Sequence, residues 1–288
     1  MLLFELFVQG LVQGSIYALI AVGLTLVYGL LRILHVAHAG LFTLGGYVGV
    51  IVTNETGSLF FALLVAMIGV GIVGMGIYKL CYQPILRYPP FVALIASIGL
   101  FIAMEEIYRL VFGPYGISFN EPPLPASVEL LGMQLKSAEI ITMVGSGVLI
   151  GALALLSART RIGIAWRATV TVPEIAESFG INIERVRYLN FFVGSALAAA
   201  AGVMVAVLNN LVEPTMGSVP SYKALAIIVL GGLGDVRGTL IAALALGIIE
   251  AYGTIYLGQF LDRDAIAFAF LIIVLMIRPQ GLFGRALA

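Results

Sequence analysis

Two histidines, one mid-segment glutamate and a few asparagines are the side chains of this chain able to hold a proton or an ion inside apolar sequence. His35 and His38 are the only histidines, and three-residue spacing on a helix places both rings on one face. Metal binding would be their sharpest use. No carboxylate or thiol stands near them to complete a ligand set, so hydrogen bonding near a helix start is the expected role. Glu250 lies between Gly247 and Gly253 in an apolar run. An ionised group in hydrocarbon costs about 2.5–3.5 kcal/mol on the insertion scale, which predicts a buried carboxylate facing a polar pathway or a neighbouring helix. His38 and Asn190 are read as candidates for the same pathway or interface, and Asn209, like Asn190, fits an interfacial anchor as well as a pathway lining. Glu105 and Glu106 stand within about two turns of the end of their segment and are expected to reach the membrane interface.

The motifs that would power chemistry are missing. The chain has no G-x-x-x-x-G-K-[ST] phosphate loop, no H-E-x-x-H and no G-x-S-x-G elbow. Cys81 is the only cysteine, so neither an intrachain disulfide nor a thiolate metal site is available. Neither a cofactor nor a metal is expected, and the chain is read as a non-enzyme with no nucleic-acid partner. So few charges in the apolar stretches also argue against a proton-driven pump, which needs relays of acidic or histidine side chains.

These groups must be positioned by membrane helices. Of the 288 residues 61% are hydrophobic and 10% charged, against roughly 25% charged in soluble domains, and the mean hydropathy is +1.11. At about 20 residues per span, the chain holds eight or nine spans in a single domain, 1–288. Runs apolar on every face, such as 140–156, exclude the alternating strands of a membrane barrel. The N-terminus lacks the positive start and small-residue cleavage site of a secretory signal and is read as part of the first span. Apolar segments fall near 8–31, 38–53, 59–81, 91–112, 138–157, 188–208, 222–234, 238–257 and 264–277. Turn-rich breaks lie at 54–58, 82–90, 113–137 and 209–221.

Lys and Arg in short loops favour the cytoplasm. Alternation then puts Arg32, Lys79, Arg87, Arg159, Arg161, Arg167, Arg185, Arg187, Arg237, Arg278 and Arg285 inside, and only Arg109, Lys136, Lys223 and Arg263 outside. The N-terminus is therefore expected outside and the C-terminus inside. The run ending at Gly231 is short, and Gly231, Gly232, Gly234 and Gly238 follow it, which predicts a discontinuous or re-entrant helix packed against protein or a water-filled cavity. Small-residue pairs, Gly10 with Gly14, Gly45 with Gly49 and Gly147 with Gly151, and the small-residue run 194–202, are expected to bring helices together where lipid provides no hydrophobic drive.

The loop 159–187 is the one long polar run, and it is basic. Within it Pro173 suits a first helical turn, Glu174 and Glu177 complement the positive end of the helix dipole, and Gly180 can close the helix in a left-handed conformation. A two-turn helix over 173–179 results, with Ile175, Ala176 and Phe179 as its apolar residues. Such a helix is too short to stand alone in water. It must dock on a partner or on its own bundle.

Three stretches carry a resemblance. The run R-A-x-x-x-x-P-E-x-A-x-x-x-G-I-N at 167–182 is similar to the cytoplasmic loop of bacterial ABC importer permeases. GLTLVYGLLRILHVAHAGLFTLGG at 23–46 and LGGLGDVRGTLIAALALG at 230–247 resemble the early and late signatures of high-affinity branched-chain amino acid permeases. The likeness extends over essentially the whole chain. His35 stands where that family usually has Asn and Ala39 where it has Gly, and Thr169, Val170, Thr171 and Val172 replace a more acidic and amidated stretch.

The resemblance implies an all-helical permease subunit of the bacterial inner membrane, embedded in lipid. It would import leucine, isoleucine, valine or related amino acids, driven by ATP used in two cytoplasmic ATP-binding subunits. A second, homologous permease and a periplasmic substrate-binding protein would complete the assembly. Pro173, Glu174, Ala176, Phe179 and Gly180 would then form the ATPase-coupling helix. Other members of that family carry urea, short amides or other small solutes, so these substrates stay open. So do a stand-alone secondary carrier and, from another class, an intramembrane enzyme or scaffold subunit.

Overall fold

A computed structural model describes residues 2–124, 127–130, 133–278 and 280–282. Eleven α-helices are described: α1 (Leu2–Leu31), α2 (His38–Thr56), α3 (Leu59–Ile77), α4 (Pro90–Phe112), α5 (Ser137–Arg159), α6 (Arg161–Thr171), α7 (Pro173–Ser178), α8 (Ile183–Asn209), α9 (Ser218–Gly231), α10 (Val236–Leu257) and α11 (Arg263–Ile277). A π-turn over Tyr78–Tyr82 and a short 3₁₀ turn carry α3 on to Ile85. One small hairpin departs from the all-helical expectation, β1 (Val128–Leu130) with β2 (Met133–Leu135), in the connection before α5. Among the described residues, six helices are long and apolar enough to cross a membrane: α1, α3 with its extension, α4, α5, α8 and α10. The 14 residues of α9 span only about 21 Å, short of the roughly 30 Å hydrocarbon core.

Helix α1 is the spine. It packs on α10, α8, α5 and α9, while α8 also carries α2 and α3, and α11 closes on α10 and α9. Small residues bring these axes together as expected. A Cβ at Gly10 would lie 2.7 Å from Ile248 Cα, and one at Gly14 2.9 Å from Leu244 Cα. Gly45 meets the backbone of Ala199, and Gly49 the side chain of Val203. Gly147 and Gly151 break the expectation. Both are exposed with open space where a Cβ would go, because that face of α5 points away from the rest of the chain.

The connections gather at two ends. At one end Ile117 pairs with Val212, Asn54 bonds Ser118 O and Asn120 N, and Tyr252 donates to Leu3 O. At the other, Gln83 donates to Glu184 and Leu282 N donates to Leu230 O at 2.7 Å. Arg32, Arg87, Arg159, Arg161, Arg167, Arg185, Arg187, Arg237 and Arg278 lie on this second end with α6 and α7; Arg285 falls outside the described residues. The predicted discontinuity is here too. Gly232 and Gly234 adopt φ +106° and +88°, Asp235 caps α10, and the segment around Gly281 covers the carbonyl end of α9. The irregular backbone here is thus hydrogen-bonded and covered by protein.

Candidate docking helix and buried polar groups

The 159–187 segment folds into more than the single helix expected. Thr160 accepts from Gly163 N at 3.1 Å and starts α6, an amphipathic helix that sequence reasoning missed. Gly163 sits against the carbonyls of Leu156 and Ser157, and Arg167 donates to Ser157 O, so α6 folds back on the end of α5. The signal available was Thr160 followed by Ile162, Trp166 and Val170 at helical spacing. Val172 is extended, the conformation a following proline favours, and Pro173 opens α7.

The end of α7 is a complete reverse-turn cap. Gly180 has φ +82°, Ile181 N donates to Ala176 O at 3.1 Å and Gly180 N to Glu177 O at 2.9 Å. These are the two bonds of the Schellman motif. Asn182 then accepts from Arg185 N at 2.9 Å and starts α8. The three apolar residues divide: Ala176 is 3% exposed against the bundle, while Ile175 and Phe179 are 55% and 83% exposed. Four-residue spacing places Ile175 and Phe179 on one outward face. Glu174 is exposed in the first turn. This short helix, opened by Pro173 and capped at Gly180, therefore presents an apolar pair to solvent.

Glu250 is fully buried and paired. Tyr17 donates to Glu250 Oε2 at 2.7 Å and Arg263 Nε to the same oxygen at 2.8 Å. Lys223 Nζ lies 2.9 Å from Glu250 Oε1 and 2.9 Å from Asp264 Oδ1, and it donates to Tyr17 at 3.0 Å. Tyr222 completes the set by donating to Asp264 Oδ2 at 2.6 Å. Four charges from α9, α10 and α11 thus cancel around one tyrosine of α1. Charge counting places Lys223 on the outer side near the start of the 222–234 run; it is a buried residue of α9, where it neutralises Glu250.

The other candidates meet α1 nearer its opposite end. Asn190 Nδ2 donates to Leu26 O at 2.6 Å, and the His38 ring packs over Gly23, where α1 and α8 approach through Gly23 and Gly194. His38 is the first residue of α2, but His35 is in the connection before it, so the two do not share a helix face. Their rings nevertheless lie 5.7 Å apart, edge to face, and His35 Nδ1 stands 2.6 Å from Tyr82 OH. Both are buried rather than interfacial. Glu105 accepts from Ser218 at 2.7 Å, whereas Glu106 pairs with Arg109 on the surface. No cluster of three or more metal-ligating side chains occurs among the described residues.

A family model described as the branched-chain amino acid transport system permease component matches residues 6–277. The chain belongs to this permease family. It is similar to LivH of Escherichia coli (strain K12), the high-affinity branched-chain amino acid transport system permease, at 31% identity over 96% of this chain and 94% of the relative. It is also similar to LivM of that strain, at 25% identity over 93% of this chain and 67% of the relative. The solved structure of PsaBC from Streptococcus pneumoniae in complex with Fab shares the fold, with a TM-score of 0.52 at 13% identity over 96% of this chain and 94% of that one. This permease is accordingly a multi-pass protein of the bacterial inner membrane, and its signature stretches supply close helix contacts: Gly23 meets Gly194 of α8, Gly45 meets Ala199 of α8, and Gly247 meets Gly14 of α1.

Proposed function

We propose that the chain is the membrane subunit of a binding-protein-dependent ABC importer that carries leucine, isoleucine and valine inward. The observation that carries this reading is α7: an apolar pair, Ile175 and Phe179, held outward by a proline start and a Schellman cap on the arginine-rich end of the bundle. That end is taken as cytoplasmic because Lys and Arg in short loops stay inside. Two ATP-binding subunits would each offer a groove to such a helix, and their closure on ATP would rock the bundles between outward- and inward-facing states. LivH and LivM both resemble this chain, which supports a pair of homologous permeases as the membrane core. A substrate-binding protein would deliver the amino acid to the 113–136 and 210–217 connections at the other end.

Phe179→Asp tests the coupling role. With 83% of the side chain exposed, the substitution should leave thermal stability within about 0.5 kcal/mol. Leucine uptake and substrate-stimulated ATPase activity in the reconstituted importer should fall at least tenfold. Undiminished uptake by a normally assembled Phe179→Asp importer would refute the role.

A further inference from the structure

A cavity of about 750 Å³ opens at the α6–α7 end between α1, α5, α6 and α10. Leu153 and Leu240 line it inside the bundle, and Trp166, Arg167, Asp235 and Arg237 line it toward the polar end. Among the described residues neither arginine has a carboxylate within ion-pair distance. Asp235 commits Oδ1 to the amides of Arg237 and Gly238 and forms no ion pair. Arg167 also donates to Ser157 O, but both signs of charge face one cavity without pairing to each other. Such a lining suits a ligand that joins a carboxylate, an ammonium group and a branched aliphatic chain at one carbon.

We infer that this cavity is an inner, low-affinity site for a branched-chain amino acid. The carboxylate faces Arg237 and Arg167, the ammonium faces Asp235, and the side chain lies against Leu153 and Leu240. This rests on the reading that the chain carries these amino acids. The volume lies high in the usual range for small-molecule sites, so water shares the cavity with so small a ligand, and half-saturation falls in the millimolar range. Helix α6 forms one wall, and Val172 alone separates it from α7. A bound ligand would thus touch α5, α10 and the segment next to the docking helix.

Trp166 is the only tryptophan in the chain, so intrinsic fluorescence reads this site directly. The full-length chain in nanodiscs, titrated with L-leucine, should show a saturable change in emission that Trp166→Phe abolishes. Arg237→Gln should raise the half-saturating concentration about tenfold or more, the loss expected for one hydrogen bond to a charged group. Leucinamide and 4-methylpentanoate, each lacking one charge, should bind as poorly. Silence toward leucine, or an equal response from Arg237→Gln, overturns the site. A response only to added phosphatidylglycerol also overturns it, in favour of a lipid pocket. Equilibrium dialysis of radiolabelled leucine against the assembled importer, wild type and Arg237→Gln, applies the same criterion without relying on the isolated chain. ATP-driven leucine uptake by that importer separates the two readings: uptake without inner binding sinks this site alone, and no branched-chain uptake sinks the reading beneath it.

Discussion

Lys223 Nζ lies 2.9 Å from Glu250 Oε1, with 3% and 0% of the two side chains exposed. The pair joins a helix too short to span a membrane comfortably, α9, to its neighbour α10, and Arg263 and Asp264 extend the tie to α11. Removing one member of a buried pair strands the other charge at a cost of about 3–5 kcal/mol. Lys223→Met should lie at the low end of that range, because Arg263 still faces Glu250. The double variant Lys223→Met, Glu250→Gln should recover part of the loss. Thermal unfolding in detergent measures both; equal stability of Lys223→Met and wild type would show that the tie contributes nothing.

Glycines at a true helix contact should behave oppositely to glycines on an open face. Gly45→Ala drives a methyl into the backbone of Ala199 and should destabilise the chain by about 1–3 kcal/mol, as overpacking does. Gly147→Ala meets nothing in this chain and should be neutral or stabilise it by up to about 1 kcal/mol through helix propensity. Unfolding midpoints of the two variants decide, and a destabilised Gly147→Ala chain would mean that α5 is packed more tightly than described.

The cap of α7 should be separable from its contact face. Gly180→Ala places a side chain at φ +82°, which costs about 1–2 kcal/mol. Asn182→Ala removes the acceptor for Arg185 N, worth about 1 kcal/mol. Hydrogen exchange at the amides of Gly180 and Ile181 should accelerate in Gly180→Ala, and near the start of α8 in Asn182→Ala. The expectation fails if exchange there is unchanged.

Much of this architecture was legible without coordinates. The apolar runs, the break at Gly232 and Gly234, the proline start at Pro173 and the left-handed Gly180 all follow from local chemistry, because hydropathy, φ limits and capping act within a few residues. Helix α6 escaped because its signal is diluted among arginines in a loop read as polar. Asn190 and Glu250 stood out as polar groups needing a partner, yet Leu26 O and Lys223 were not identified, since the partners lie 164 residues and 27 positions away in the chain.

Composition and spacing alone therefore settle that this is a polytopic helical membrane protein and where several of its turns and caps fall, while the permease reading came from the likeness of 23–46, 167–182 and 230–247 to a known family. They do not settle how each helix is rotated. Only packing turned Lys223 inward to Glu250 while leaving Phe179 out in solvent and Gly147 without a neighbour, because side-chain direction depends on contacts between segments distant in sequence. A charge count cannot distinguish a lysine that anchors a loop from one that neutralises a buried carboxylate.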